Sequence, residues 1–149
     1  MTLLLKSAVQ KDAVNIWKWR NEKTTRMNSF NARIIPLSEH MKWFSAALKS
    51  KKRRIYIIHN NGKKIGYIRI DYSSTPEIHI AIDKKYRNRG FGKQAIRLAC
   101  NVTPGIMTAK IKPDNTASVK AFSGAGFKIT RKSKSMIIMQ NVGALLHEV

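Results

Sequence analysis

The stretch that most constrains this chain is Ile55-Tyr-Ile-Ile-His59, Asn60-Asn-Gly62 and Lys64-Ile-Gly-Tyr-Ile-Arg-Ile70. Two runs rich in β-branched and aromatic residues flank an Asn-Gly pair, whose residues accept the positive φ that a tight hairpin turn needs. The Ser73-Ser-Thr-Pro76 cluster then turns the chain again, and Glu77-Ile-His-Ile-Ala-Ile82 reads as a further strand. The centre of the chain is therefore a sheet.

Helical patterns surround it. The spacing predicts a helix over Lys11 to Glu22, with Val14, Ile16, Trp17 and Arg20 turned toward a core. Residues 24–36 lose periodicity and end at Pro36, as a loop does. Ser38 is placed to cap a second helix carrying Met41, Phe44 and Leu48 on one face. A Gly-rich connection leads into a helix over Lys93 to Asn101, with Ala95, Ile96, Ala99 and Cys100 apolar and Pro104-Gly105 ending it. Ile106 to Ile111 reads as a strand. Asp114 or Asn115 caps a helix through Phe122, stopped by Gly124 and Gly126. Phe127 to Thr130 and Met136 to Gln140 close the chain as strands. The order α α β β β α β α β β defines an α/β class.

The length of 149 residues suits a single domain over 1–149. A hydrophobic content of 43% excludes wholesale disorder. A lone Cys100 excludes an internal disulfide framework and a multi-thiolate zinc site, and no metal is expected. On its apolar helix face it reads as core rather than as an acyl carrier. No apolar run approaches the ~20 residues of a membrane span, and Met1 to Lys6 is too short for a signal-peptide core, so the cytoplasm is the expected compartment. Lys and Arg number 29 against 8 Asp and Glu, a net charge of +21. Such an excess suits nucleic acid or a polyphosphate ligand, or is solvated surface. The dense run Lys49 to Arg54 lies between a helix pattern and a strand pattern and reads as a charged connection.

Tyr86-Arg-Asn-Arg-Gly-Phe-Gly-Lys93 lies between a strand and a helix. Gly90 and Gly92 permit tight backbone geometry and close ligand approach. The helix that follows starts with unpaired N–H groups and a partial positive charge. Arg87, Arg89 and Lys93 add full charges, so the turn suits a pyrophosphate. It lacks the spacing of a P-loop and of a dinucleotide-binding fingerprint.

Arg87-Asn88-Arg89-Gly90-Phe91-Gly92 resembles the [QR]-x-x-G-x-[GA] acyl-CoA signature of the GNAT (Gcn5-related N-acetyltransferase) superfamily. Asn115-Thr-Ala-Ser118, Phe122 and Gly126-Phe127 are similar to the family's second CoA-binding region. The resemblance implies a GNAT fold, a mixed and mostly antiparallel twisted sheet flanked by about four helices. It implies an acetyl-CoA-dependent N-acetyltransferase, with acetyl-CoA as cosubstrate. Main-chain N–H groups across Arg89, Gly90, Phe91, Gly92 and Lys93 would hold the pyrophosphate, with Asn88 in the same turn. The strand Ile80-Ala81-Ile82 would pair with the pantetheine arm, and N–H groups near Ile82 would meet the oxyanion. Asn115 and Ser118 would touch the CoA near its thiol end, and Arg87 and Lys120 would reach phosphates. Glu77 is the candidate base, with His79 beside it on the same strand face. Phe122 stands where many family members carry a Tyr that protonates the leaving thiolate, so no general acid is assigned.

The N-terminal strings Trp17-Lys-Trp-Arg-Asn21 and Ser38-Glu-His-Met-Lys-Trp-Phe44 resemble a GNAT subgroup that acetylates ribosomal-protein N-termini and nucleotide-linked amino sugars. Trp17, Trp43 and Phe44 are expected in the core. Arg20, Asn21, Arg26 and His40 are the candidate acceptor contacts. A cationic cleft suits the diphosphate of a nucleotide-linked amino sugar and repels a basic peptide. The rival readings are a protein N-terminal acetyltransferase, a nucleic-acid or ribosome-associated module on this scaffold, and a non-catalytic acyl-CoA sensor.

Overall fold

The computed structural model describes residues 3–141; Met1, Thr2 and residues 142–149, at the ends of the expected 1–149 domain, lie outside the described residues. Among the described residues seven strands form one sheet: β1 (Leu3–Ser7), β2 (Arg53–Asn60), β3 (Lys63–Asp71), β4 (Glu77–Ile82), β5 (Thr108–Ile111), β6 (Lys128–Lys132) and β7 (Ile137–Gln140). Their spatial order is β1-β2-β3-β4-β5-β7-β6. Every neighbouring pair is antiparallel except β4 and β5, which run parallel. Asn61 and Gly62 take φ of +51° and +81°, so the β2–β3 hairpin forms where the Asn-Gly signal puts it.

The helices are α1 (Ala13–Asn21), α2 (Lys23–Met27), α3 (Leu37–Lys49), α4 (Phe91–Val102) and α5 (Thr116–Gly124). Single 3-10 turns precede α1 and follow β4. Two elements depart from the sequence expectation. β1 occupies a segment with no turn signal around it, and its partner β2 supplies the pairing. α2 arises inside the expected loop because the Glu22 carboxylate accepts the Thr25 N–H at 2.9 Å and caps a turn that has no apolar periodicity.

The sheet separates two cores. On one face Ile58, Ile68, Ile70 and Ile78 pack against Phe91, Ala95, Ile96 and Ala99 of α4 and Phe122 of α5. Burying residues such as Phe91 and Ile96 contributes about 1.5–3 kcal/mol each. On the other face Ile55, Ile57, Tyr67 and Ala81 pack against Ala13, Ile16 and Trp19 of α1 and Phe44 and Ala47 of α3. The α1 face thus differs from the expected one. Val14 is exposed and Trp19 is buried, because Trp19 stacks on Tyr67 at 6.2 Å and donates to Asp83 Oδ2 at 3.0 Å. Phe44 is in the core as expected, while Trp17 and Trp43 are half-buried. Likewise α3 starts at Leu37 behind Pro36, not at a Ser38 cap. Among the described residues no helix is long and apolar enough to cross a membrane.

Candidate active site

The parallel pair β4–β5 is joined at Glu77↔Thr108 alone. Beyond that point the two strands part, while β4 stays paired with β3 from Glu77 to Ile82. Asp83 N–H donates to the Ile65 carbonyl at 2.7 Å. Main-chain groups alternate sides along an antiparallel strand. Ala81 and His79 therefore turn their amides toward β3, and Ile80 and Ile82 turn theirs toward the gap. The Ile82 carbonyl is taken on that side by Arg87 Nε at 3.0 Å. The Ile80 N–H and C=O and the Ile82 N–H line the open edge, where an extended arm with its own amides adds as a strand does.

The edge leads into the Gly-rich turn. Asn88 and Gly90 take φ of +64° and +79°, which bends the chain so that consecutive N–H groups face one concavity. α4 starts directly behind Gly90 with no side-chain cap, so its first-turn amides are free for a ligand. A Cβ at Gly90 would meet nothing within 4 Å, so the space beside it is open. A Cβ at Gly92 would lie 3.6 Å from Ala121 Cβ, so Gly92 lets α4 approach α5. Arg89 lies 5.8 Å from the Tyr86 ring centroid, and the Lys93 stem runs against Gly124.

Arg87 corrects one expectation. Its guanidinium bonds Glu22 Oε1 at 3.0 Å, Thr25 Oγ1 at 3.1 Å and the Ile82 carbonyl. It is a tie between the turn and α2 rather than a free phosphate ligand. On α5, Asn115 Oδ1 accepts the Ser118 N–H at 3.2 Å and caps the helix, while Lys120 is exposed. Phe122 is 2% exposed, with its ring 5.0 Å from that of Phe127. Phe122 is therefore a core residue.

Strand alternation puts Tyr67, Arg69 and Asp71 of β3 and Glu77, His79 and Ala81 of β4 on the face that α1 and α3 cover. His79 Nε2 lies 2.8 Å from Glu77 Oε2 and 3.3 Å from Asp71 Oδ2. Lys110 Nζ is 3.1 Å from Glu77 Oε1. Arg53 and Arg69 reach Asp71 Oδ1 at 2.9 and 3.2 Å. His79 holds the Glu77 carboxyl down at about 2 against the upward push of burial, and Lys110 adds to it. Burial alone would raise Asp71, but His79, Arg69 and Arg53 hold it well below the usual carboxylate range. Asp71, Glu77 and His79 are close enough to share a cation. Arg53, Arg69 and Lys110 already neutralise the two carboxylates, so this donor set does not fit a metal.

Of the expected acceptor contacts, only Arg20 belongs to this face. His40 is fully buried, with Nε2 2.8 Å from the Ala13 carbonyl. Asn21 clips Ile35 through both its amide groups at 2.8 Å. Arg26 bonds the carbonyls of Asn21 and Ala32 at 3.0 and 3.1 Å. These three side chains hold the 28–36 loop and α3 in place. The residues missed are Arg53, Arg69, Asp71 and Lys110. The first three were legible, because the period of two along the hairpin sets them beside Glu77 and His79.

A strand edge with free amides, opening from an anion-binding turn, defines an acyl-CoA-dependent transferase. The chain belongs to the GNAT acetyltransferases: the sequence model of the Acetyltransferase (GNAT) domain matches residues 2–128. It is an acetyl-CoA-dependent N-acetyltransferase. A putative phosphinothricin acetyltransferase, YwnH of Bacillus subtilis, is 29% identical over 115 residues, covering 69% of each chain. The fold is shared with the aminoglycoside acetyltransferase AAC(6')-Ib solved with ribostamycin and coenzyme A. That match has TM-score 0.85 and 15% identity, over 98% of this chain and 97% of that one. It is also shared with spermidine N-acetyltransferase from Vibrio cholerae in complex with CoA and spermine. There the TM-score is 0.80 and the identity 13%, over 93% and 92%.

Proposed function

We propose that this chain acetylates a small primary amine by direct attack on acetyl-CoA in a ternary complex. One observation carries the reading: the Ile80–Ile82 edge runs from the anion-binding turn toward His79 and Glu77, the only such pair on β4. The turn binds the pyrophosphate and the edge aligns the pantetheine, which fixes the thioester. The Ile82 N–H donates to the developing oxyanion. The incoming amine gives up its proton to His79, whose imidazole lies between the Glu77 and Asp71 carboxylates, because a carboxyl held at about 2 accepts a proton poorly. Glu77 and Asp71 flank the imidazole and stabilise the cation it becomes. CoA leaves as a thiolate, tolerable for a thiol of ordinary pKa near ~8.5, and takes a proton from solvent.

A nucleotide-linked amino sugar is the finer reading of the acceptor. The cations on the α1–α3 face support it; aminoglycosides and spermidine are themselves polycations. The test is thiol release from acetyl-CoA against a panel of amines, with acetyl-CoA titrated separately. His79→Gln should lower kcat/KM by about 10²–10⁴-fold with acetyl-CoA affinity retained. No acetyl-CoA binding at hundreds of micromolar would end the reading.

A further inference from the structure

We infer that Arg20, Arg53 and Arg69, gathered on Trp43, form a subsite for an acidic group of the acceptor. The enzyme would then select primary amines that carry a phosphate or carboxylate a few atoms from the nitrogen. The inference rests on the acetyl-transfer reading and names the substrate class of that same site.

The three guanidinium carbons lie 4.4, 5.6 and 5.6 Å from the Trp43 ring centroid. With Lys110 they make four cations on this face, set against the carboxylates of Asp71 and Glu77. Two positive charges are left over, because Glu39, the further carboxylate that acts on Arg20, is itself paired with Arg33. Arg20 is the clearest case. Among the described residues no carboxylate lies within ion-pair distance of it, and its hydrogen-bond contact is with His40 Nδ1 at 3.0 Å. His40 Nε2–H donates to the Ala13 carbonyl, so Nδ1 is the lone-pair nitrogen and accepts from Arg20 Nη1. Burial keeps this imidazole neutral, and it also lowers the Arg20 pKa. A neutral, fully buried histidine thus orients the guanidinium and leaves most of its donors free. Arg69 differs in being ion-paired: its buried Nε lies 3.2 Å from Asp71 Oδ1 without an aligned hydrogen bond, and it shares that carboxylate with Arg53.

Charges placed like this are costly until an anion meets them. Planar guanidinium forks match carboxylate and phosphate oxygens in pairs. The geometry also sets the size of the acceptor. Arg69 sits directly across the β3–β4 pair from His79, and such partners have Cβ atoms about 5 Å apart. An amine at His79 therefore has its acidic group within a few bonds. Carboxylate, monophosphate and nucleotide diphosphate share this chemistry. A polyamine meets like charge instead.

The experiment compares kcat/KM for glycine, 2-aminoethyl phosphate and UDP-glucosamine with that for ethanolamine and spermidine. At least one acidic amine should exceed ethanolamine by about 10- to 100-fold, as loss of charge-assisted hydrogen bonds implies. Arg20→Gln should raise the KM for that acceptor by a similar factor and leave acetyl-CoA affinity within about twofold. If Arg20→Gln fails to fold, seen as loss of a cooperative melting transition, the rim variant Arg53→Gln is read in its place; a folded Arg20→Gln that no longer binds acetyl-CoA would overturn the subsite. Binding is measured independently of turnover. Inorganic phosphate should raise the melting temperature of the CoA-saturated protein, whose phosphate turn is filled, and Arg20→Gln or Arg53→Gln should abolish that rise. Ethanolamine or spermidine used as well as every acidic amine would overturn the subsite and leave the transferase standing. So would no phosphate effect on the CoA-saturated protein. Loss of acetyl-CoA binding in the unmodified chain would instead overturn the transferase reading.

Discussion

Glu22 and Arg87, 65 residues apart in the chain, meet at 3.0 Å and fasten the Gly-rich turn to the start of α2. The same Glu22 carboxylate caps α2 through Thr25, so one side chain serves two elements. Arg87 favours the ionised form of Glu22 against the upward push of burial. Glu22→Gln weakens both contacts, and the expected loss is about 1–2 kcal/mol, of which a cap alone supplies about 1. In a double-mutant cycle with Arg87→Met, the second substitution should cost less than it does alone. Acetyl-CoA affinity should fall in step with the loss of this tie and not with the loss of one cation. Denaturant melts and acetyl-CoA titrations of the four proteins check this.

The same pair shows where the sequence stops being readable. The turn announces itself through Gly90, Gly92 and the cations around them, because local backbone geometry demands those residues in that order. The hairpin, α4 and α5 are legible for the same reason. The partner of Arg87 is not, since nothing local in Glu22 points to a residue on another element. Asn21, Arg26 and His40 read as acceptor contacts because polar side chains beside aromatics resemble a binding surface. Only tertiary packing shows their groups closed on Ile35, Ala32 and Ala13. β1 and α2 were missed because each depends on a distant strand or a cap rather than on its own periodicity.

Gly66 faces the β4 edge. A Cβ there would lie 2.2 Å from the Ala81 carbonyl oxygen, so Gly66→Ala forces backbone to move. The shift falls on Ala81 and Ile82, next to the free amides. The expected destabilisation is about 1–3 kcal/mol. Acetyl-CoA affinity should drop more than stability alone explains if, as proposed, this edge aligns the pantetheine. An Ala substitution at the turn glycine Gly62, where a Cβ meets nothing within 4 Å, provides the comparison. It should lower stability with acetyl-CoA affinity unchanged.

Glu77 makes stability depend on acid. The unfolded chain protonates this group near its ordinary 4.5, the folded chain near about 2. Between those values the unfolded state holds more protons, so lowering the pH favours unfolding. The contribution is complete above pH 4.5 and gone below about 2. Its size is roughly 1–3 kcal/mol, allowing for partial exposure of the carboxylate. Glu77→Gln should therefore lose stability at neutral pH and show a shallower decline from pH 5 to 3 in urea midpoints. Asp71, shifted in the same direction, supplies the slope that remains.

Phe122 settles whether an acid is missing or merely replaced. Its ring is packed edge-on against Phe127 and is 2% exposed, on the α4–α5 side of the sheet. Placing a hydroxyl there buries a donor in an apolar core, at a cost of about 1–3 kcal/mol if it finds no partner. Phe122→Tyr should accordingly lower the melting temperature and leave kcat within about twofold. A large gain in kcat would mean that thiolate protonation limits turnover and that the ring reaches the gap between β4 and β5. A stable variant with unchanged kcat would mean that the new hydroxyl finds a partner away from the thioester. Thermal melts and steady-state thiol release on the same preparation distinguish the three outcomes.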